Sequence, residues 1–152
     1  MPTPEEVLAG HPFFAGLSAE YLDRLASVAR PVDVEANRFI FRDGQEATCF
    51  LVVYGGDISI ELHVPGKGPR IIQTVHTGEV LGWSWLFPPH RWLFDARALN
   101  DVHAYCLDAP KLLEAVENDH EFGFQMMRRF SKMLVDRLNA TRMQVLDVYG
   151  DR

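Results

Sequence analysis

The order of apolar and polar positions divides the chain into a helical start, a middle of short strands and a helical end. Near the N-terminus, Tyr21, Leu22 and Leu25 form an apolar stripe at helical spacing, and Ser18 precedes it as a candidate N-cap. This pattern predicts a helix over 19–30. A shorter helix is predicted before it, where a proline and two glutamates follow a threonine.

Strand signals fill residues 31–108. A continuous apolar run covers residues 50–54, and Ile58, Ile60 and Leu62 then alternate with polar residues, as in a half-buried strand. Glycine-containing turn dipeptides and a Pro-Gly-Lys-Gly loop separate these runs. About eight short strands with turns between them predict a sandwich or jelly-roll barrel.

The pattern becomes helical again after Asp108. Asp108 is a candidate N-cap for a short helix over 109–116, and a long helix then begins at Asp119 and reaches about Val148. At about 1.5 Å per residue the long helix measures roughly 45 Å, more than the core of a small domain needs. Gly123 weakens its first turn.

Two apolar stripes run along this long helix. The first is predicted to pack on the strands and consists of Phe122, Met126, Phe130 and Met133. The second recurs every seven residues, is weakened by polar Ser131 and Thr141, and ends at Val148. Both stripes could cover the chain's own core. The alternative that we favour is a homodimer through the second stripe, at Met127, Leu134, Leu138 and Val145.

Composition fits a folded chain with one hydrophobic core, because 47% of its 152 residues are hydrophobic. The 21 acidic and 15 basic residues leave a net charge of -6, and the clustered bases Arg128, Arg129 and Lys132 lie within a helix. A nucleic-acid binder normally presents a basic face, so we expect no direct nucleic-acid binding. No apolar run approaches the roughly 20 residues of a membrane span, so we expect a cytoplasmic protein without a membrane segment.

The residues that could carry metal or catalytic chemistry are scattered. Each of the four histidines between residues 63 and 103 lacks a second histidine two residues away, which a metal site in a jelly roll would use. Cys49 and Cys106 lack zinc-site spacing and are predicted to be isolated, small core residues in a reducing compartment. We therefore expect no metal, no cofactor and no catalytic residue.

One segment, residues 78–92, concentrates the unusual residues of the chain. It contains all three tryptophans, the spaced glycines Gly78 and Gly82, and a Pro-Pro pair. A Gly-x-x-x-Gly turn that opens a short apolar helix leaves backbone N–H groups free, which favours an anion at the helix start. This segment is therefore the candidate binding site.

The motif Gly-Glu-Val-Leu-Gly at 78–82 resembles the phosphate-binding cassette of the cyclic-nucleotide-binding domain family, which includes the catabolite activator protein and Fnr-type regulators. The lead-in before the first long helix and the closing run 97–102 resemble that family too. The resemblance implies an α+β fold: a β jelly roll, also called a double-stranded β-helix, with N-terminal helices and a long C-terminal helix.

The resemblance also implies a domain organisation. A single domain would cover residues 1–152, with a helical lead-in at 1–30, a β roll at 31–108 that contains the cassette at 78–92, and C-terminal helices at 109–148. In the family, the last helix forms a homodimer and leads into a DNA-reading domain. Here the chain stops at Arg152, so we expect no DNA-binding domain.

The residues that bind the nucleotide in the family are replaced. Trp83 stands where the family has a glutamate for the ribose, and Trp92 stands where it has an arginine for the cyclic phosphate. Indole offers one N–H donor, no acceptor and no charge, so it replaces neither contact. Losing charge-assisted contacts of about 1.5–3 kcal/mol each lowers affinity by several orders of magnitude, so we do not expect ordinary cAMP binding.

Three interpretations of the pocket are open. The tryptophans fill it themselves, or they form an aromatic cage for a planar or cationic ligand, or a cyclic-nucleotide site persists in which Arg91 reaches the phosphate after a register shift. Asp95 either replaces a ligand contact or faces solvent. The candidate ligand-binding residues are Leu81, Gly82, Trp83, Ser84, Trp85, Arg91, Trp92, Leu93 and Asp95.

These patterns favour a non-enzymatic regulatory module that lacks the usual cAMP chemistry and acts through protein association. The rival hypothesis is a sensor whose small ligand, a cyclic nucleotide or another planar molecule, stacks on the tryptophans. In that case, binding of the ligand in the pocket would be signalled through the long helix.

Overall fold

The computed structural model describes the backbone of residues 1–150 and the side chains of residues 1–147. Single 3₁₀ turns lie at Pro12–Phe14 and Ser84–Leu86. The helices are α1 (Pro4–Gly10), α2 (Ala19–Ala26), α3 (Ala109–Asn118) and α4 (His120–Gly150). The strands are β1 (Ala29–Val34), β2 (Phe39–Phe41), β3 (Cys49–Gly55), β4 (Ile58–Val64), β5 (Gly68–Val75), β6 (Val80–Leu81), β7 (Asp95–Ala98) and β8 (Val102–Asp108).

The strands form two four-stranded antiparallel sheets. One has the order β1-β8-β3-β6 and the other β2-β7-β4-β5, so all neighbours except the β4–β5 hairpin come from distant parts of the chain. Ile58 and Ile60 of β4 face the core from the second sheet together with their partners Ala98 and Ala96 of β7. This arrangement confirms the predicted α+β jelly roll with helices at both ends.

The helix caps are confirmed, but one helix boundary is wrong. Ser18 accepts the backbone N–H of Tyr21, and Asp108 accepts that of Lys111, as the sequence predicts. The helix predicted over 19–30 ends at Ala26 instead. The cause is strand pairing, because the chain from Ala29 onward bonds to β8 and cannot continue the helix.

The Phe/Met stripe of α4 packs on the roll as predicted. Phe122, Met126 and Phe130 are fully buried, and the Phe130 ring lies 5.0 Å from that of Phe50 on β3. Packing explains why residue 123 is a glycine, since a Cβ there would lie 2.5 Å from the Val116 carbonyl oxygen. The glycine that weakens the helix thus allows α3 and α4 to approach closely.

Two polar residues of β4, Ser59 and Glu61, are buried, whereas His63 near its end is exposed. A half-buried strand would expose Ser59 and Glu61, but Glu61 is only 2% exposed. Arg97 of β7 covers it, with its Nε 2.9 Å from Glu61 Oε2, and Ser59 Oγ donates to the same carboxylate. An ion pair therefore replaces the exposed polar face that the alternation predicts.

The two cysteines are joined rather than isolated. Cys49 on β3 and Cys106 on β8 lie on adjacent strands with Cα atoms 5.4 Å apart, and they form a disulfide. The prediction of two isolated core residues is therefore wrong, because the β3–β8 register was not readable from spacing. In the described part of the chain, no helix has the length and apolar character required to cross a membrane.

Candidate functional site

The cassette begins at β6 and continues through a single 3₁₀ turn, Ser84–Leu86. The sequence predicts a short helix whose start attracts an anion, but three residues are too few for such a site. Gly82 joins the strand to the turn at φ +112°, and a Cβ there would lie 2.7 Å from Trp92 Cη2. Ser84 Oγ is buried and has no hydrogen-bond partner.

Trp92 is packed inside the roll. Its side chain is 2% exposed, and its ring stacks on Phe41 with centroids 3.8 Å apart and planes within 7°. Phe94 closes the cluster from the side, with its ring 6.1 Å from that of Trp92. The position that the sequence resemblance assigns to the family's arginine is therefore packed in the aromatic core.

The other two tryptophans lie on different sides of the cassette. Trp85 is buried against Phe130 of α4, and its Nε1 donates to the Gly82 carbonyl at 2.9 Å. Trp83 is half-buried, with its ring 5.8 Å from Phe94. The guanidinium carbon of Arg137 lies 4.7 Å from the Trp83 ring centroid, within cation–π range.

Three of the candidate ligand residues lie away from the cluster that Trp92 forms with Phe41 and Phe94. Arg91 is exposed, and its Nη1 donates to the Gly44 carbonyl at 2.8 Å. Leu93 is 66% exposed. Asp95 accepts the backbone N–H of Asp43 at 2.8 Å, so its carboxylate holds a turn instead of facing the roll interior.

The structure thus brings part of the predicted set together. Leu81 is fully buried on β6, next to Gly82, and Trp83 and Trp92 both contact Phe94. Whether any of the nine residues binds a ligand stays a prediction.

Arg137 is the site residue that sequence reasoning missed. It reaches from α4 to the cassette, where its Nη2 donates to the Val80 carbonyl at 2.8 Å and its Nη1 to Gln73 Oε1 at 3.1 Å. Desolvation by the surrounding protein lowers the pKa of Arg137 from its usual value. The available signal was its position four residues after Met133, which continues the stripe that faces the roll.

Two cavities border this region. One, of about 630 Å³, lies along α4 and includes Arg137. The other, of about 370 Å³, lies beside the first residues of α3 and includes Trp85 and Arg91. Trp83 and Trp92 line neither of them. Among the described residues, no group of three or more His, Cys, Asp or Glu is placed to hold a metal ion.

Solved structures share this fold at low sequence identity. A cyclic nucleotide-binding domain from Methylobacillus flagellatus matches 95% of this chain and 82% of its own with a TM-score of 0.79 and 17% identity. The sensor domain of the transcriptional regulator DNR from Pseudomonas aeruginosa matches 89% of this chain and 91% of its own, with a TM-score of 0.72 and 17% identity. At such identities the likeness establishes the fold alone.

Sequence comparison gives the family. Acetyltransferase Pat from Mycolicibacterium smegmatis is 29% identical over 75 residues, which are 49% of this chain and only 22% of that enzyme. The family model of the cyclic nucleotide-binding domain matches residues 31–119, more than half of the chain and all eight strands except the first two residues of β1. The chain therefore belongs to the cyclic nucleotide-binding domain family.

Proposed function

We propose that the chain is a single, non-enzymatic regulatory domain that does not bind cAMP in the usual way and acts through protein association. The observation that carries this proposal is the stack of Trp92 on Phe41 at 3.8 Å. A ring held at that distance leaves no space between the two residues for a sugar-phosphate. Trp92 is also closed in on its edge, where Cη2 approaches Gly82.

The polar chemistry around the tryptophans does not replace the lost contacts. The indole N–H of Trp85 is already used by the Gly82 carbonyl. Arg91 points outward to Gly44, and a cyclic phosphate inside the roll would need a cation that reaches it. Neither Trp85 nor Arg91 therefore offsets the two losses argued from the sequence.

Association is proposed to occur through the free end of α4. Every described side chain from Leu138 to residue 147 is exposed, yet several are apolar: Leu138 is 51% and Val145 49% exposed. Leu134 is also exposed, while Met127 is partly buried against the core. A second copy of the same helix would cover this stripe. Val148, which continues it, lies outside the described side chains.

Binding and association can be tested separately. We expect no saturable heat or change in tryptophan emission when micromolar cAMP or cGMP is titrated into the protein. A saturable micromolar response to cAMP would overturn the first half of the proposal.

For the second half, sedimentation should detect a dimer that Leu138→Glu dissociates. Met143→Glu is the matched control, because Met143 lies on the same exposed end of α4 but about 140° around the helix from Leu138. A monomeric wild-type protein, or equal effects of both variants, would contradict association through this stripe.

The sensor hypothesis is supported by a different observation. Arg137 connects α4 to the cassette through the Trp83 ring and the Val80 carbonyl, so a ligand that displaced it would act on the helix directly. The predicted readout is a saturable change in Trp83 emission that Trp83→Phe abolishes. The cytoplasmic location remains a proposal, and the Cys49–Cys106 disulfide is a feature that cytosolic proteins rarely keep.

A further inference from the structure

An open cavity of about 630 Å³ lies between α4 and the part of the chain that precedes the roll. Pro12, Phe13 and Ala15 form one wall around the first 3₁₀ turn, and residues 78–80 form another. The face of α4 from Gln125 to Arg137 supplies the rest. We call this cavity the basic groove. None of the nine candidate ligand residues lines it.

The basic groove concentrates positive charge in a chain whose net charge is -6. Four cationic side chains line it against two carboxylates, an excess of two positive charges: Arg128, Arg129, Lys132 and Arg137 against Glu79 and Asp136. Such a concave cluster of one sign attracts ligands of the opposite sign.

Both carboxylates already have partners. Asp136 lies 2.6 Å from the Lys132 ammonium, and Glu79 accepts the backbone N–H of His76 at 2.9 Å. Among the ion pairs of the described residues, none includes Arg128, Arg129 or Arg137. Three guanidinium groups in one cavity therefore form no salt bridge, although Glu79 attracts Arg137 at longer range.

Two of these arginines are held in place by neutral oxygens. Arg129 donates from Nη2 to the Ala15 carbonyl at 2.8 Å and from Nη1 to Gln125, and Arg137 donates to the Val80 carbonyl at 2.8 Å. Desolvation lowers the pKa of Arg129, with a smaller contribution from the neighbouring charge of Arg128. The guanidinium groups of Arg129 and Arg137 are thus held in fixed positions, and their positive charge is only partly balanced by neighbouring oxygens.

The basic groove and the proposed dimer stripe lie on opposite sides of α4. At about 100° per residue, the groove-lining residues from Gln125 to Arg137 are centred roughly half a turn around the helix from Leu134 and Leu138. A second copy on that stripe would therefore leave the groove open.

We propose that the basic groove binds a small organic phosphate monoester. The planar guanidinium fork matches phosphate oxygens in pairs, and the excess of two charges matches a dianion. Phe13, Val80 and Met133 line the same cavity and would contact an apolar body attached to the phosphate. The site is separate from the roll interior and independent of the proposal for cAMP.

The test uses phenyl phosphate as the probe, in calorimetric titrations of the full chain. We expect saturable binding with a Kd below about 1 mM, at least tenfold weaker binding of inorganic phosphate, and none of phenol. Absence of saturable heat with phenyl phosphate would overturn the proposal. Equal affinity for inorganic phosphate would also overturn it, since the apolar wall would then contribute nothing.

Variants locate the site. Arg128→Gln with Lys132→Gln should weaken phenyl phosphate binding at least about tenfold, because both side chains are exposed groove cations whose loss removes charge without removing core. Arg142→Gln is the matched control, an exposed arginine of α4 that lies beyond the groove. It should bind like the wild type. If the double variant is folded by circular dichroism and binds phenyl phosphate as tightly as the wild type does, the ligand binds elsewhere and the proposal is wrong.

Discussion

The ring of Trp92 lies flat on that of Phe41, with centroids 3.8 Å apart. The backbone of Trp92 also joins the same part of the chain, since its N–H donates to the Gln45 carbonyl and its own carbonyl accepts the Gly44 N–H. Trp92, which the sequence resemblance aligns with the phosphate-binding arginine of the family, thus holds the turn after β2 against the cassette. Its side chain is part of the hydrophobic core.

Stability should depend strongly on this stack. We expect Trp92→Ala to lower the free energy of unfolding by about 3–5 kcal/mol, because it removes a buried aromatic ring and leaves a cavity. Trp83→Ala is the control at a half-buried tryptophan and should cost clearly less. Urea unfolding followed by far-ultraviolet circular dichroism measures both. Equal losses would show that the stack contributes little beyond ordinary burial.

Gly82 should be required by its contact with Trp92. Gly82→Ala would place a Cβ 2.7 Å from Trp92 Cη2 at a φ of +112°, and we expect it to destabilise the fold by about 1–3 kcal/mol. Gly78→Ala shares a positive φ, +87°, but meets open space. Gly82→Ala should therefore cost clearly more than Gly78→Ala, and the excess contains the packing contribution together with the additional backbone strain at +112°.

A double-mutant cycle tests the same contact directly. In a Trp92→Ala background the ring is absent, so Gly82→Ala should cost less than it does in the wild type. Additive effects of the two substitutions would mean that the strain at Gly82 comes from its backbone or from the nearby Cys49 carbonyl instead.

Restoring the family's contacts should create cyclic-nucleotide affinity. Trp83→Glu with Trp92→Arg would return a carboxylate and a guanidinium, and two contacts of about 1.5–3 kcal/mol each predict a gain of at least about a hundredfold for cAMP. Calorimetry on the folded fraction measures the gain, with the single variants as controls. No gain in a folded double variant would mean that the roll is shaped differently from a nucleotide site.

Local signals made most of the fold predictable. Ser18 and Asp108 cap helices by contacts three residues away, and the stripe of α4 that contains Phe130 needs only helical periodicity. The cassette was located through its glycines and tryptophans because these residues are adjacent in sequence.

The parts that sequence reasoning missed depend on contacts between distant residues. The disulfide joins Cys49 to Cys106 across the β3–β8 register, and Arg137 meets the Val80 carbonyl across 57 positions. Periodicity assigns a residue to a face but does not say which other element covers it. The same limit applies to the end of α2. The apolar pattern predicts a helix to residue 30, but the helix ends at Ala26 because the chain pairs with β8 from Ala29 onward.

The buried Glu61 should depend on its arginine. Arg97→Met leaves the Glu61 carboxylate, which is 2% exposed, with only Ser59 as a partner. We expect the free energy of unfolding to fall by about 2–3 kcal/mol. This is less than the largest losses for buried ion pairs, because the Arg97 side chain is itself 35% exposed. Arg42→Met is the control, a more exposed arginine over the same Phe39 ring, and should cost under about 1 kcal/mol. The measurement is the denaturant midpoint of each variant relative to the wild type. Similar shifts of the midpoint for Arg97→Met and Arg42→Met would contradict the proposal that the buried Glu61 charge depends on Arg97.

Acidification should weaken the fold through His11. This buried ring lies between the Val53 and Glu79 carbonyls through Nε2, and its Nδ1 accepts the Phe13 backbone N–H, so the neutral form fits the site. Desolvation lowers the pKa of His11 below its usual 6.5, outweighing the two backbone hydrogen bonds. Between the lowered pKa and 6.5 the unfolded chain binds the proton and the folded chain does not, so stability falls as the pH drops through this window.

His76 contributes a pH dependence of stability with the opposite sign, so its contribution has to be removed before that of His11 can be measured. The hydrogen bond to Asp57 raises the pKa of His76, so its contribution is present below 6.5 and is lost as the pH rises through the raised pKa. Unfolding free energies of His76→Gln, with and without His11→Gln, should be compared at about pH 7.5 and about pH 5.5. We expect the stabilising contribution of His11 to shrink at the lower pH, because the unfolded chain binds a proton at His11 there more readily than the folded chain does. A contribution that is unchanged or larger at the lower pH would show that the site accepts the charged ring.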